Sequence, residues 1–127
     1  MEIPTTHQTV MPYLMLNGAQ KFIDFTKKAF DAQLTASMHK LHEDGKTIRH
    51  SEVTIGGSTI MFSEATSDWK PQTANLFIYV ANADETYKKA IDSGATTLME
   101  LSNQDYGRTC GITDPFGNVW WITSIIK

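Results

Sequence analysis

The order of predicted strands and helices repeats once along the chain, and this repeat constrains the fold more than any other feature. Apolar β-rich stretches and amphipathic helices follow in the order βαβββ, and the same order then begins again. In the first half the helix is predicted at residues 19–30 and the strands at 9–16, 33–41, 47–55 and 58–63. In the second half the helix is predicted at 83–93 and the strands at 74–80, 96–101, 106–113 and 119–125.

Short turn signals separate these elements. Gly94 is placed like the glycine that ends a helix, and Gly56-Gly57 is typical of a two-residue hairpin. The stretch Asp114-Pro115-Phe116-Gly117 has turn residues at successive positions. Sequence identity between the halves is slight, so the repeat depends on element order.

Composition excludes several classes of protein. The 127 residues, 41 % hydrophobic and 20 % charged, predict one domain at 1–127 with modules at about 9–64 and 73–126. A net charge of −3 without basic runs disfavours a nucleic-acid partner. Cys110 is the only cysteine, which excludes an internal disulfide and favours a reducing, cytoplasmic location. No apolar stretch approaches the roughly 20 residues of a membrane span, so no membrane partner is expected.

Two stretches carry a family resemblance. The sequence Tyr106–Ile122 contains an Asp-Pro-x-Gly-Asn turn before an apolar last strand, and Arg49-His50-Ser51-Glu52-Val53 is followed by Gly56-Gly57-Ser58. With two βαβββ modules, the chain resembles the vicinal oxygen chelate superfamily of glyoxalase I, bleomycin-resistance proteins and extradiol dioxygenases, in particular a bacterial glyoxalase-like subgroup. The resemblance implies an α+β fold whose modules form a curved mixed sheet around a cavity, and a homodimer.

The resemblance also implies four positions for metal ligands. Metal-dependent members place one ligand on the first and one on the last strand of each module, and use His, Glu or Gln there. Carried over by position, these sites fall at Met11, Met61, Asn75 and Trp121. Two thioethers, an indole and one amide do not supply the donors that hard or borderline divalent ions need. The sequence therefore predicts no cofactor and no metal site of the usual kind, with a divalent metal at a non-standard site left open.

Strand alternation predicts an aromatic, Met-rich cavity lining with a few polar groups, as in small-molecule pockets. The candidate ligand-binding residues are Tyr13, Met61, Asn75, Phe77, Tyr79, Arg108 and Trp121.

His50 and Glu52 lie two apart on the third predicted strand and therefore share a face. We predict that they point into the cavity as candidate catalytic residues, either as an acid/base pair or as ligands of an atypical metal site. The simpler alternative is a polar face on a solvent-exposed edge strand.

Four other residues have simpler explanations that we favour. The guanidinium of Arg108 could bind a carboxylate or phosphate group of a ligand, but we slightly favour a surface salt bridge within the protein. His39 and His42 are expected to be exposed on opposite faces of their strand. Cys110 is expected to be a small buried apolar residue and not a nucleophile.

Two functions from different classes remain open. The first is a metal-independent small-molecule binding protein of the bleomycin-resistance type, motivated by the missing ligand set. The second is an enzyme of the glyoxalase/dioxygenase superfamily that uses His50 and Glu52. An interaction-only domain would be favoured if the structure contained no cavity larger than a few water molecules.

Overall fold

A computed structural model describes residues 1–127 and contains two α-helices and nine strands. The helices are α1 (Ala19–Phe30) and α2 (Ala83–Asp92), and a short 3-10 helix spans Ala36–Met38. The strands are β1 (Tyr13–Leu16), β2 (Gln33–Leu34), β3 (Lys40–Leu41), β4 (Ile48–Ile55), β5 (Ser58–Glu64), β6 (Asn75–Tyr79), β7 (Thr96–Gln104), β8 (Gly107–Thr113) and β9 (Val119–Ser124). The predicted α+β class with two βαβββ modules is confirmed.

The chain divides into two compact units. Unit one comprises Met1–Lys27 and Asp31–Thr73, and unit two comprises Lys28–Phe30 and Ala74–Lys127. Neither helix is long or apolar enough to cross a bilayer.

Unit one contains a mixed sheet in the order β1-β5-β4-β2, with β3 paired to β4. β1 runs parallel to β5, and the other pairs are antiparallel. The alternating side chains Leu14 and Leu16 are buried, and Phe22 of α1 meets Phe62 of β5 edge to face at a ring distance of 4.9 Å. The carboxylate of Glu64, at the end of β5, accepts hydrogen bonds from the first backbone N–H groups of α1. The core therefore occupies one face of the sheet and leaves the other for polar and thioether side chains.

Unit two has the order β6-β9-β8-β7, with β6 parallel to β9 and the remaining pairs antiparallel. Asn82 caps α2 by accepting a hydrogen bond from the Glu85 N–H, as its position before the helix predicts. Trp120 is buried, packs on Phe30 at a ring distance of 4.4 Å and donates its indole N–H to Asp114. Asp114 thereby ties the predicted turn to the last strand.

Several predicted boundaries are wrong. The first strand begins at Tyr13 instead of residue 9, because Pro12 has no N–H for a strand ladder. The predicted strand 33–41 is split by the 3-10 helix into β2 and β3. β7 continues to Gln104, three residues beyond its predicted end, and its pairing to β8 contains register shifts.

Candidate functional site

Four polar side chains of unit one form a continuous hydrogen-bonded row. The Tyr13 hydroxyl lies 3.0 Å from His50 Nδ1, and His50 Nε2 lies 2.8 Å from Glu52 Oε2. The other carboxylate oxygen, Glu52 Oε1, lies 2.7 Å from His7 Nε2. We call Tyr13, His50, Glu52 and His7 the quartet.

The sheet register explains how the quartet assembles. Met61 of β5 pairs with Tyr13 of β1 on one side and with Glu52 of β4 on the other, so these three residues form a row across the sheet. His50 precedes Glu52 by two residues, which places both side chains on the same face. The alternation prediction for these two residues therefore agrees with the observed hydrogen bonds.

The chemistry of Glu52 sets the direction of the hydrogen bonds. Its side chain is 1 % exposed, and a carboxylate can only accept. His50 must therefore present a protonated Nε2 to Glu52. In the neutral imidazole this leaves Nδ1 as the acceptor, so the Tyr13 hydroxyl donates to it. β4 lies between β5 and the short strands β2 and β3, and Glu52 is buried. The exposed-edge alternative is therefore wrong for Glu52.

His7 lies in the segment before the first strand and was not among the residues predicted from the sequence. Thr59 on β5 holds this segment: its hydroxyl donates to the Thr6 carbonyl, and the Gln8 side chain exchanges two hydrogen bonds with the Thr59 backbone. His7 and Glu52 are 45 positions apart. No periodic pattern covers residues 1–8, so the sequence contains no signal that would have identified His7.

A cleft in unit one lies next to the quartet and has a volume of about 350 Å³. Tyr13 belongs to both the quartet and the cleft wall. The exposed indole of Trp69, the thioether of Met15 and the guanidinium side chain of Arg49 also line it. Its remaining lining residues are His42, Ser63, Glu64 and Thr66. The cleft combines apolar, aromatic and charged groups, as small-molecule sites do.

A second cleft of unit one, about 530 Å³, lies around the turn between β3 and β4. Its lining residues are Leu41, His42, Glu43, Asp44 and Arg49. All five are exposed, so this cleft offers less desolvation than the one beside the quartet.

The residues at the four family ligand positions do not fit a divalent metal. Met11 and Met61 offer thioethers, and the Asn75 side-chain oxygen accepts a hydrogen bond of 3.2 Å from the Trp121 indole. No group of three or more His, Cys, Asp or Glu side chains could hold a metal ion. In the quartet, each histidine Nε2 atom lies within hydrogen-bond distance of a different oxygen of Glu52.

Unit two presents an aromatic surface on the open face of its sheet. Asn75, Phe77 and Tyr79 alternate with less exposed neighbours along β6, as predicted, and Phe77 and Tyr79 are 50 % and 64 % exposed. Phe77 packs against Tyr79 and Tyr106 at ring distances of 5.1 Å and 6.1 Å. Trp121 is half-buried and bonds Asn75. Of the predicted ligand-binding residues, Tyr13 and Met61 thus lie in unit one, and Asn75, Phe77, Tyr79 and Trp121 lie in unit two.

Arg108 forms the surface salt bridge that the sequence analysis favoured. Its Nε and Nη2 atoms donate to the two oxygens of Asp84 at 2.9 Å and 3.1 Å, and Nη1 donates to Asn103. The hydrogen bonds from Arg108 hold the pKa of Asp84 below its usual value. This guanidinium therefore already has a carboxylate partner within the protein.

Cys110 and the two remaining histidines have structural environments. Cys110 is fully buried, and burial raises the pKa of its thiol to about 11, which disfavours the reactive thiolate. His42 is exposed, as predicted. The prediction for His39 is wrong: it is half-buried and lies 2.8 Å from the buried Ser51 hydroxyl, because the 3-10 helix interrupts the predicted strand just before it.

Comparison with known proteins places these features in a family context. Residues 7–122 match the family model described as the Glyoxalase/Bleomycin resistance protein/Dioxygenase superfamily. An uncharacterized protein of Mycobacterium bovis is 31 % identical over 121 residues, which cover 86 % of this chain and 78 % of that protein.

Solved structures share the fold at low sequence identity. TioX from Micromonospora sp. ML1 has a TM-score of 0.71 and 18 % identity, with 94 % of this chain and 98 % of that chain covered. TnmS3, an antibiotic binding protein from Streptomyces sp. CB03234, has a TM-score of 0.70 and 16 % identity, with 94 % and 100 % covered. At this level of identity the likeness shows the fold alone.

Proposed function

The chain belongs to the Glyoxalase/Bleomycin resistance protein/Dioxygenase superfamily, and we propose that it binds a small organic molecule without the usual divalent metal of that superfamily. The observation that carries this proposal is the unit-one cleft of about 350 Å³, lined by Tyr13, Met15, Arg49 and Trp69. Aromatic and thioether groups beside a few polar ones suit a flat, partly apolar ligand. The antibiotic binding described for TnmS3 supports the same class of function.

The aromatic surface of unit two provides a second group of side chains, besides those of the unit-one cleft, that the sequence predicted to bind a ligand. Phe77 and Tyr79 are large and exposed, and each offers a ring face to a planar group. We propose that these residues, with Asn75 and Trp121, contribute to ligand binding in unit two. We propose a ligand-binding role for Met61 in unit one. Arg108 is the weakest member of the proposed set, because a ligand anion would compete with Asp84 for its guanidinium.

Metal analysis and fluorescence titration test the proposal. The protein is purified without chelators, its divalent metals are quantified by mass spectrometry, and bleomycin is titrated while tryptophan emission is recorded. We expect substoichiometric metal and saturable quenching, and Arg49→Ala should raise the bleomycin concentration that gives half-maximal quenching. Lys46→Ala is the matched control, because Lys46 is exposed and cationic but does not line the cleft. Stoichiometric metal that is lost in His50→Ala would contradict the proposal, as would quenching that is insensitive to Arg49→Ala.

The quartet favours a second candidate function, an enzyme that uses His50 and Glu52 for acid/base chemistry. A buried carboxylate that orients an imidazole is a common arrangement for proton transfer. In this candidate His50 moves the proton and Glu52 acts as a positioning residue, because its carboxylate is buried and bonded at both oxygens. Ligand binding without metal or turnover would exclude this second function.

Assembly, location and domain organisation are also proposals. We propose a homodimer and a cytoplasmic location for a chain that forms one domain over residues 1–127. Sedimentation analysis at several protein concentrations tests the dimer, and a monomer at every concentration would exclude it.

A further inference from the structure

We propose that the Tyr13 hydroxyl is the reacting group of the unit-one site, with His50 as its proton acceptor. This inference uses the proposed binding site for its location and adds a chemical role to it. Tyr13 is 44 % exposed and lines the cleft, whereas its hydroxyl lies 3.0 Å from His50 Nδ1. It is therefore the one member of the quartet that faces both a ligand-sized space and a base.

The three residues follow the order of an activated nucleophile, its base and the group that orients the base. Glu52 fixes His50 with Nε2 protonated, so Nδ1 carries the lone pair that receives the Tyr13 proton. When His50 takes that proton, its positive charge forms 2.8 Å from a buried carboxylate. The carboxylate attracts this charge, as it does in other arrangements of a reacting hydroxyl, a base and an orienting carboxylate.

His7 completes the arrangement as a positioning residue. It occupies the second oxygen of Glu52 at 2.7 Å and is itself only 11 % exposed. The carboxylate is consequently held from both sides and cannot rotate away from His50. The segment that carries His7 is fixed by the bonds to Thr59, so the geometry does not depend on a single contact.

The cleft indicates the chemical class of the substrate. Trp69 and Met15 suit a flat aromatic or carbonyl-containing part, and Arg49 suits an anionic group. An acidic O–H or C–H bond of such a molecule gives its proton to the Tyr13 oxygen while the Tyr13 proton moves to His50 Nδ1. The electron pair of the broken bond stays on the substrate as a delocalised anion. His50 then returns its proton through Tyr13 to a different atom of that anion, which gives an isomer of the substrate. The step needs no oxidant or reductant.

Acetylation by N-acetylimidazole tests the reactivity of Tyr13 without knowledge of the substrate. The reagent transfers its acetyl group to a tyrosine oxygen, the acyl C–N bond breaks, and imidazole leaves as the phenol proton is removed. Peptide mapping by mass spectrometry of the full chain gives one rate for each tyrosine. Tyr79 and Tyr106 are internal controls, because they are 64 % and 54 % exposed.

We expect Tyr13 to react at least about tenfold faster than Tyr79 despite its lower exposure, a modest effect for a positioned base. His50→Gln should reduce the Tyr13 rate to that of Tyr79 or below and leave Tyr79 and Tyr106 unchanged. A Tyr13 rate no higher than that of Tyr79 in the unmodified protein, or a Tyr13 rate unaffected by His50→Gln, would overturn the inference. The unmodified protein gives a decisive comparison even where the variant is unstable.

Two further measurements separate this role from structure and from binding. In Glu52→Gln, the ¹⁵N shifts of His50 should report loss of the single tautomer, whereas a purely structural Glu52 would leave them unchanged. Binding is read separately, from the quenching of tryptophan emission by bleomycin in the unmodified protein. If bleomycin quenches the emission but Tyr13 is acetylated no faster than Tyr79, only this inference is overturned. If Tyr13 is acetylated rapidly but bleomycin causes no quenching, only the proposed function is overturned.

Discussion

Replacement of Glu52 by glutamine changes one oxygen to an N–H₂ group at the centre of the quartet. The native carboxylate accepts from His7 at 2.7 Å and from His50 at 2.8 Å, and its side chain is 1 % exposed. The amide keeps one acceptor and presents a donor to the other imidazole. One of the two hydrogen bonds must therefore break unless that histidine changes its tautomer. The substitution preserves volume, so the result reports on hydrogen bonding and charge and not on a cavity.

The structure sets the size of the expected effect. A hydrogen bond to a charged group contributes about 1.5–3 kcal/mol to stability. Loss of one such bond at a fully buried site predicts a free energy of unfolding that is lower by about 1.5–3 kcal/mol. Complete removal of the charge partner, as in Glu52→Ala, adds a cavity and an unpaired imidazole, and should cost about 3–5 kcal/mol.

Urea unfolding followed by circular dichroism measures the loss, with Glu43→Gln as the matched control. Glu43 is an exposed turn residue, so its substitution should change stability by less than about 0.5 kcal/mol. A stability change within about 0.5 kcal/mol would refute the role of Glu52 as the centre of a buried network.

Four more predictions concern unit two. Asp114→Ala leaves the Trp120 indole N–H and several turn N–H groups without their acceptor. The free energy of unfolding in urea should therefore be lower by about 2–4 kcal/mol, and a decrease below about 1 kcal/mol would contradict this prediction. Gly111→Ala places a methyl group 2.6 Å from the Trp121 ring, so tryptophan emission should change, whereas an unchanged spectrum would mean that the ring is free to move. The Cys110 thiol should resist Ellman's reagent at pH 8 until the protein unfolds, and rapid native labelling would contradict its burial. The pKa of the Cys110 thiol is raised from an ordinary 9.0 to about 11 in the folded protein, so the folded state binds more protons than the unfolded state between pH 9 and pH 11. The free energy of unfolding should therefore fall as pH rises through this range. In Cys110→Ala the free energy of unfolding should fall less steeply with pH.

The sequence predicted the local parts of the site better than the distant ones. His50 and Glu52 were identified because alternation along one strand needs only a two-residue period. The Asp114 turn was also identified, because its bonding partners lie within a few residues. His7 and the Tyr13–His50 contact were not found, because each pairs residues far apart in sequence whose proximity depends on strand order.

Arg108 illustrates a second limit of the sequence. Its guanidinium could equally bind a ligand or a carboxylate of the protein, and residue type alone does not distinguish them. The structure brings Asp84, at the start of α2, within 2.9 Å of Arg108 on β8. The choice between the two roles depends on how the helix sits against its sheet, which no local pattern encodes.

Hydrophobic periodicity predicted the fold class and the two-module repeat, because it acts locally. The comparison of Met11, Met61, Asn75 and Trp121 with metal-ligand positions came from the family resemblance. The burial of Glu52 between two histidines, the link from the cleft through Tyr13 to His50 and the pairing of Arg108 are visible only in three dimensions. Burial and hydrogen-bond partners are set by strand register and by chain segments that meet across the fold, and these contacts form between residues that are remote in sequence.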